Sequence, residues 1–416
     1  MTVSLGIDFG TSGARLVAID TDRNVLWWGT RELVGWRWRE TLFALIQEIP
    51  VAIKARVGRI AIDGTSGTVL LCDAMGQIIG VPILYSDDRS KTIMEQVKSI
   101  APAGHLVLNA TSSFAKFCWL TSQPNFSATE PSYLLHQADW IAYHLHGKLG
   151  ISDYHNALKL GYDVELLCYP DWLESHPYRS FLPQVVAPGT PIGTVRPQVA
   201  QDLGLVTDCV VCAGTTDSIA AFIASGAQIP GVAVTSLGST LVVKLLSQTR
   251  VDDVKYGIYS HRWGDLWLVG GASNTGGAVL RHFFSDAELA SLSQEIDLTR
   301  PTDLDYYPLL TPGDRFPVND PDLSPRMTPR PASAIEFLYG LLTGITKIEA
   351  RGYELLSELG ATPLAAVYTA GGGAKNPVWT QIRQQYLPVP ISISTHQEAA
   401  YGTALLAQRG MVRTSR

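Results

Sequence analysis

Four short stretches of this chain combine residue types that could handle a phosphate and move a proton. The first is Asp8-Phe9-Gly10-Thr11-Ser12-Gly13-Ala14-Arg15, which begins at the end of the stretch Val3–Phe9, rich in β-formers. Small residues in such a turn let backbone N–H groups come close to an anion. Thr11 and Ser12 add hydroxyl donors, and the Arg15 fork matches phosphate oxygens. Asp8, at the end of the run, is a natural ligand for Mg²⁺, directly or through water. The same residues also read as a plain hairpin turn closed by a capping Asp. The second stretch, Thr235–Thr240, repeats that plan around Gly238 and Ser239. The third is Gly371-Gly372-Gly373-Ala374-Lys375-Asn376-Pro377, lying between a β-rich run and a helical one. Bare glycines at Gly372 and Gly373 let a base or phosphate lie against the backbone, with Asn376 as helix cap and Pro377 at the first helical position. The alternative is a tight strand-to-helix turn. The fourth is Gly214-Thr215-Thr216-Asp217-Ser218. Asp217 either caps a helix or accepts the proton of an attacking hydroxyl, the one job phosphoryl transfer asks of a protein base.

The elements that must carry these residues are strands mixed with helices, an α/β pattern. Val3–Phe9, Leu16–Asp20 and Asn24–Trp28 read as a three-stranded meander, followed by a helix over Thr41–Arg56 kinked at Pro50. Arg59–Asp63 is a short buried strand, and Val69–Asp73 with Gln77–Val81 a hairpin. Helices are expected near Arg89–Ile100, Phe114–Thr121, Tyr133–His146, Pro197–Leu203 and Thr216–Ser225. Val232–Leu246 then echoes Leu5–Asp20, as an internal duplication would. The expected domains are therefore 1–228 and 229–416. The second closes with a long helix over Ala332–Leu359, strands at Ala366–Thr369 and Ile391–Ile393, and helices from Asn376 and Gln397. Pro301–Pro331, rich in Pro and Asp, reads as an irregular surface loop.

Bulk properties narrow the class. A chain of 416 residues suits two cores. An apolar fraction of 46% and a charged fraction of 17% are those of a globular enzyme. A net charge of -6 with scattered Lys and Arg argues against a nucleic-acid partner. No apolar run is long enough to span a membrane, and the N-terminus lacks a signal-peptide pattern. Five widely spaced Cys suit reduced thiols and a cytoplasmic location. The Cys209/Cys212 pair lies in a strand with no second pair, which argues against a metal site. Trp27, Trp28, Trp36 and Trp38 could form a stacking platform for sugars or bases, but the strand setting of the first two and the modest charge nearby favour packing.

Taken together, these residues resemble the FGGY carbohydrate kinases over nearly the whole length. Asp8–Arg15 is similar to the family's first phosphate motif, Thr235–Thr240 to its second and Gly371–Asn376 to its adenosine motif. Ile83–Arg89 is similar to its substrate segment, Pro188–Gly193 and Gly214–Asp217 are characteristic, and Lys116 and Trp119 fall where the family often has these residues. The resemblance implies two ribonuclease-H-like α/β domains of the actin/hexokinase/Hsp70 type with an ATP cleft between them. It implies ATP and Mg²⁺ as cofactors and a small-molecule sugar as substrate. The implied catalytic set is Asp217 as base with Asp8 and Thr11. Asp8 would face the metal, and Gly10, Thr11, Ser12, Arg15, Gly238, Ser239, Gly372, Gly373 and Asn376 the nucleotide. Ser66, Thr68, Asp87 and Asp217 would line the sugar. The Gln-Met-His stretch of xylulose kinases is replaced here by Thr65-Ser66-Gly67. The short chain resembles the compact xylulose-kinase-like proteins of cyanobacteria and plastids. A ketopentose, D-ribulose or D-xylulose, is the expected acceptor. The alternatives are a glycerol or other polyol, a ketohexose, an ATPase switch of the Hsp70 or actin type, and a catalytically weak sugar sensor.

Overall fold

The computed structural model describes residues 2–123, 126 and 132–409. They form two compact units, the described residues of Met1–Ala224 with those of Glu398–Arg416, and Ser225–Gln397.

The first unit is built on a seven-stranded sheet. β1 (Val3–Phe9) is buried along its whole length: Val3, Leu5, Ile7 and Phe9 alternate with Ser4, Gly6 and Asp8, and the alternate residues are covered as well. β2 (Gly13–Ile19) and β3 (Val25–Glu32) continue it antiparallel, while β4 (Val57–Gly64) lies parallel to β1 on its other side. The helices Trp38–Glu48, Gln137–His146 and Pro197–Leu203 cover one face through Leu42, Ile46, Trp140, Ile141 and Leu203. The break between Trp38–Glu48 and Val51–Lys54 falls at Pro50, as its ring dictates. The helices Asp217–Ala224 and Ala399–Arg409 also pack on this unit. A Cβ on Gly6 would meet the Ala400 carbonyl oxygen at 2.0 Å, so the last helix touches β1 backbone to backbone. By contacts, the division differs in detail from the expected 228/229. The boundary falls at Ala224/Ser225, and the closing helix returns to the first unit.

The second unit repeats the plan. Strand Val232–Leu237 pairs antiparallel with Leu241–Ser247 and parallel with Ala366–Ala370. The sheet is completed by Leu266–Ser273, Tyr259–Trp263 and Ile391–Ile393. The helix Ala334–Glu358 covers it with Leu338, Leu341, Leu342 and Ile345.

Four further expectations need correction. Tyr133–His146 is not all helix: Ser132–His136 is a strand paired with Val69–Asp73, and its β-rich start is claimed by that neighbour. The helices Gly277–Phe283 and Asp286–Gln294 were not foreseen. The segment 301–331 is irregular but is no mere surface loop. Tyr306, Leu309 and Phe316 are buried in the second core, and Asp314 accepts from Ser273, Asn274 and Tyr307. The packing role holds for Trp27 and Trp38, whereas Trp28 is 69% and Trp36 45% exposed.

Candidate active site

Both ends of the parallel pair β1 and β4 carry an aspartate, and their register sets Asp8 beside Asp63. The two-residue strand Thr215–Thr216 then pairs with β4, Thr215 opposite Asp63, so the next residue, Asp217, starts its helix at the same sheet end. Burial pushes the Asp63 carboxyl well above the usual range, reinforced by the negative charge of Asp8 and, less, of Asp217. Burial also raises Asp8, opposed by a hydrogen bond from Asp63 and by Arg15. Both shifts run towards the protonated form, and the two carboxyls titrate as a pair. Asp8 Oδ1 and Asp63 Oδ1 are buried and have no hydrogen-bond partner among the described residues. Asp63 Oδ2 accepts from the Thr403 hydroxyl of the closing helix.

An orphaned, buried carboxylate oxygen at Asp8 fits a hard cation. Among the described residues no group of three or more His, Cys, Asp or Glu side chains could hold a metal ion by itself. A Mg²⁺ here would therefore take much of its shell from phosphate and water, its ordinary habit.

The turn after Asp8 is closed by Gly10 N donating to Gly13 O at 3.0 Å. Thr11 and Ser12 stand exposed at its tip, and their hydroxyls meet no hydrogen-bond partner among the described residues. Arg15 braces the aspartate rather than pointing away: Nη1 donates to Asp8 Oδ2 at 3.2 Å, and Nε lies 3.5 Å from Glu398. Asp217 is half-buried, and its Oδ1 accepts from Ser218 N at 2.6 Å, which fixes the carboxylate at the helix start.

The expected sugar residues are brought together only in part. Ser66 is half-buried at the tip of the Thr65–Thr68 turn. Thr68 is fully buried, its hydroxyl paired with that of Thr65, so its side chain is not presented to a ligand. Asp87 is held by Arg89, whose Nε and Nη2 reach it at 2.6–3.0 Å and keep its carboxyl below the usual range. The Arg89 guanidinium lies 5.1 Å from the Trp119 ring centre.

In the second unit, Gly372–Lys375 forms one 3₁₀ turn and Asn376 caps Pro377–Tyr386, as its sequence demands. Asn376 Oδ1 accepts from Trp379 N at 3.1 Å and Nδ2 donates to Ser293 Oγ at 2.8 Å. Its amide therefore ties two helices together. A Cβ on Gly373 would strike Leu237 and Trp379, whereas one on Gly372 would meet nothing within 4 Å. Gly372 thus faces open space, on a cavity of about 450 Å³ lined also by Arg281, Leu289, Ser293 and Lys375. Gly238 and Ser239 form the matching turn, their carbonyls accepting from Gly277 N and Ala278 N. Arg281 Nη2 donates to Ser239 Oγ at 3.1 Å.

Residue types alone missed Asp63, Arg281 and Ser293. Asp63 did carry a signal, because Arg59–Asp63 ends on an acid just as Val3–Asp8 does. The helix bearing Ser293 was announced by Ser285 and Glu288, which form a capping box.

Comparison with known proteins matches this geometry. Residues 36–224 match the N-terminal domain of the FGGY family of carbohydrate kinases and residues 233–411 its C-terminal domain. The chain is 26% identical over 427 residues to a xylulose kinase of Streptomyces coelicolor, covering 98% of this chain and 85% of that one. Its fold is similar to that of a solved xylulose kinase from Rhodospirillum rubrum, with TM-score 0.86, 20% identity and coverage of 100% and 91%. A gluconate kinase from Lactobacillus acidophilus is similar at TM-score 0.86, 16% identity and coverage of 100% and 90%. The two family models span most of the chain, whose two domains have the actin/hexokinase/Hsp70 type of fold, and the chain is a member of the FGGY family of carbohydrate kinases.

Proposed function

We propose that this protein transfers the terminal phosphoryl group of Mg²⁺-ATP to a terminal hydroxyl of a ketopentose, D-ribulose or D-xylulose, with Asp217 as general base. The observation that carries the reading is the gathering of Asp8, Asp63 and Asp217 at one sheet end, beside a turn with unpartnered hydroxyls. Asp217 takes the proton of the attacking hydroxyl, whose oxygen bonds to phosphorus as the bond to the leaving ADP oxygen breaks. Thr11, Ser12 and the backbone of Gly10–Gly13 bind phosphate oxygens, with Arg15 keeping Asp8 oriented. When bound, Mg²⁺ would be held by Asp8 and would neutralise charge on the phosphates. On the second unit, Gly238 and Ser239 bind phosphate while Gly372 offers its open backbone to the nucleoside and Gly373 packs the turn against Leu237 and Trp379. Asn376 acts by fixing that segment. Ser66 and the Asp87 segment face the acceptor, and the work is done without membrane or nucleic acid, in the cytoplasm.

A sugar acid is the second reading. Lys159 is half-buried, lies 3.8 Å from where a Cβ on Gly67 would sit, and forms no ion pair among the described residues. A cation there would suit a carboxylate on the acceptor.

The test is ADP release from Mg²⁺-ATP across ketopentoses, ketohexoses, aldonates and polyols, with the product weighed by mass spectrometry. Stimulation by D-ribulose or D-xylulose with its phosphate ester formed is the expected result. Stimulation by an aldonate alone moves the assignment to the second reading, and a flat rate across the panel removes both.

A further inference from the structure

The acceptor side is tied together by one buried ammonium. Lys116, in the helix Ser113–Thr121, is fully buried and forms no ion pair with a described residue. Its Nζ donates to Gly67 O at 2.7 Å, Leu84 O at 2.7 Å and Tyr85 O at 3.1 Å. None of these carbonyls belongs to the lysine's own helix. Gly67 sits in the turn beside Ser66 with φ +89°, and Leu84–Tyr85 leads directly into Asp87. An apolar side chain of similar length would fill the space, but it would leave three carbonyls without that donor and two segments untied.

We propose that Lys116 is a positioning residue for the acceptor, tying the Ser66–Gly67 turn to the Leu84–Asp87 segment so that both meet one polyol. The inference rests on the kinase reading above. All three contacts need the three N–H groups of the ammonium, since a neutral amine donates only two. The charged groups around it are Lys159, Asp87 and Arg89. Burial, foremost, and Lys159 push the Lys116 ammonium down to about 7; Asp87 opposes and Arg89 adds slightly. Loss of the proton therefore frees one of the tied carbonyls, and only the protonated fraction presents a complete acceptor site.

The experiment measures KM for D-ribulose and D-xylulose, and KM for ATP, in the wild type from about pH 6 to 9 and in Lys116→Met at neutral pH. In the wild type the acceptor KM rises with pH above about 7, approaching tenfold per pH unit, while KM for ATP stays level. Lys116→Met raises the acceptor KM about tenfold or more and leaves KM for ATP within about twofold. If that variant does not fold by circular dichroism, the wild-type profile decides alone. A wild-type acceptor KM that is flat with pH, or equal rises in both KM values, overturns the role of Lys116 and leaves the kinase reading standing. No turnover of either ketopentose by the wild type overturns the ketopentose reading and this inference with it.

Discussion

Glu349 and Arg383 form an ion pair in the core of the second unit, with side chains at most 1% exposed. Arg383 Nε and Nη2 reach the carboxylate at 2.7 and 2.6 Å, and its Nη1 donates to Thr369 at 2.6 Å. Thr235, in the strand that leads into the second phosphate turn, donates to Glu349. Glu349→Ala removes the two bonds from Arg383 and the one from Thr235, and leaves a buried guanidinium with only Thr369. Breaking one partner of such a pair costs about 3–5 kcal/mol. At about 2–4 °C per kcal/mol for a domain of this size, Tm falls by about 6–20 °C. Differential scanning calorimetry measures this directly. Because the pair joins the turn strand to the helix capped by Asn376, ADP affinity at 20 °C should also weaken (about threefold, or 0.7 kcal/mol). The double variant Glu349→Met, Arg383→Met removes both charges and should recover most of the lost stability. A single variant losing less than about 1 kcal/mol, or a double variant losing the sum of the two singles, would refute the assignment of the cost to an unpaired buried charge.

Three more outcomes are expected. Gly372→Val leaves Tm nearly unchanged, because its Cβ meets nothing within 4 Å, but weakens ADP binding by calorimetry; Gly373→Ala lowers Tm, because its Cβ strikes Leu237 and Trp379. Asn376→Ala costs about 1 kcal/mol in chemical denaturation, the usual worth of a helix cap, with more if the tie to Ser293 counts. Burial, with the charge of Asp139 beside it, pushes the Asp153 carboxyl up to about 7. The folded protein thus keeps a proton between about pH 4 and 7 that the unfolded chain has lost, and this residue's contribution to stability falls as pH rises through that window. Asp153→Asn should lack this slope, and denaturation midpoints of the two proteins that run parallel from pH 5 to 8 would contradict it.

Strand positions were the most readable part of the chain. Val3–Phe9, Val69–Asp73 and Val232–Leu237 are short stretches rich in Val, Ile, Leu and Phe and bounded by turn or polar residues, and each is a strand. The duplicated plan was visible because both halves open on the same strand–turn–strand pattern. Non-local facts were not readable. The return of residues 399–409 to the first unit depends on Gly6 meeting Ala400, a contact between residues far apart in sequence. Asp63 looked like a strand end until the parallel register set it beside Asp8. Thr68 and Asp87 have the right chemistry for a sugar, but Thr65 and Arg89 already use it, and such local competition leaves no trace in composition. Tyr133–His136 has helix and strand readings of similar merit, and only pairing with Val69–Asp73 decides between them.

The most direct test of the central claim is ketopentose-dependent turnover by Asp217→Asn. The variant keeps the shape of the side chain and its acceptor for Ser218 N at the start of the helix Asp217–Ala224, but cannot take a proton. The account predicts that kcat falls by about 10²–10⁴-fold while ADP affinity, measured by calorimetry, stays within about twofold. A variant that forms the sugar phosphate at the wild-type rate would contradict the account, because the carboxylate at the end of the Thr215–Thr216 strand would then be a cap and nothing more.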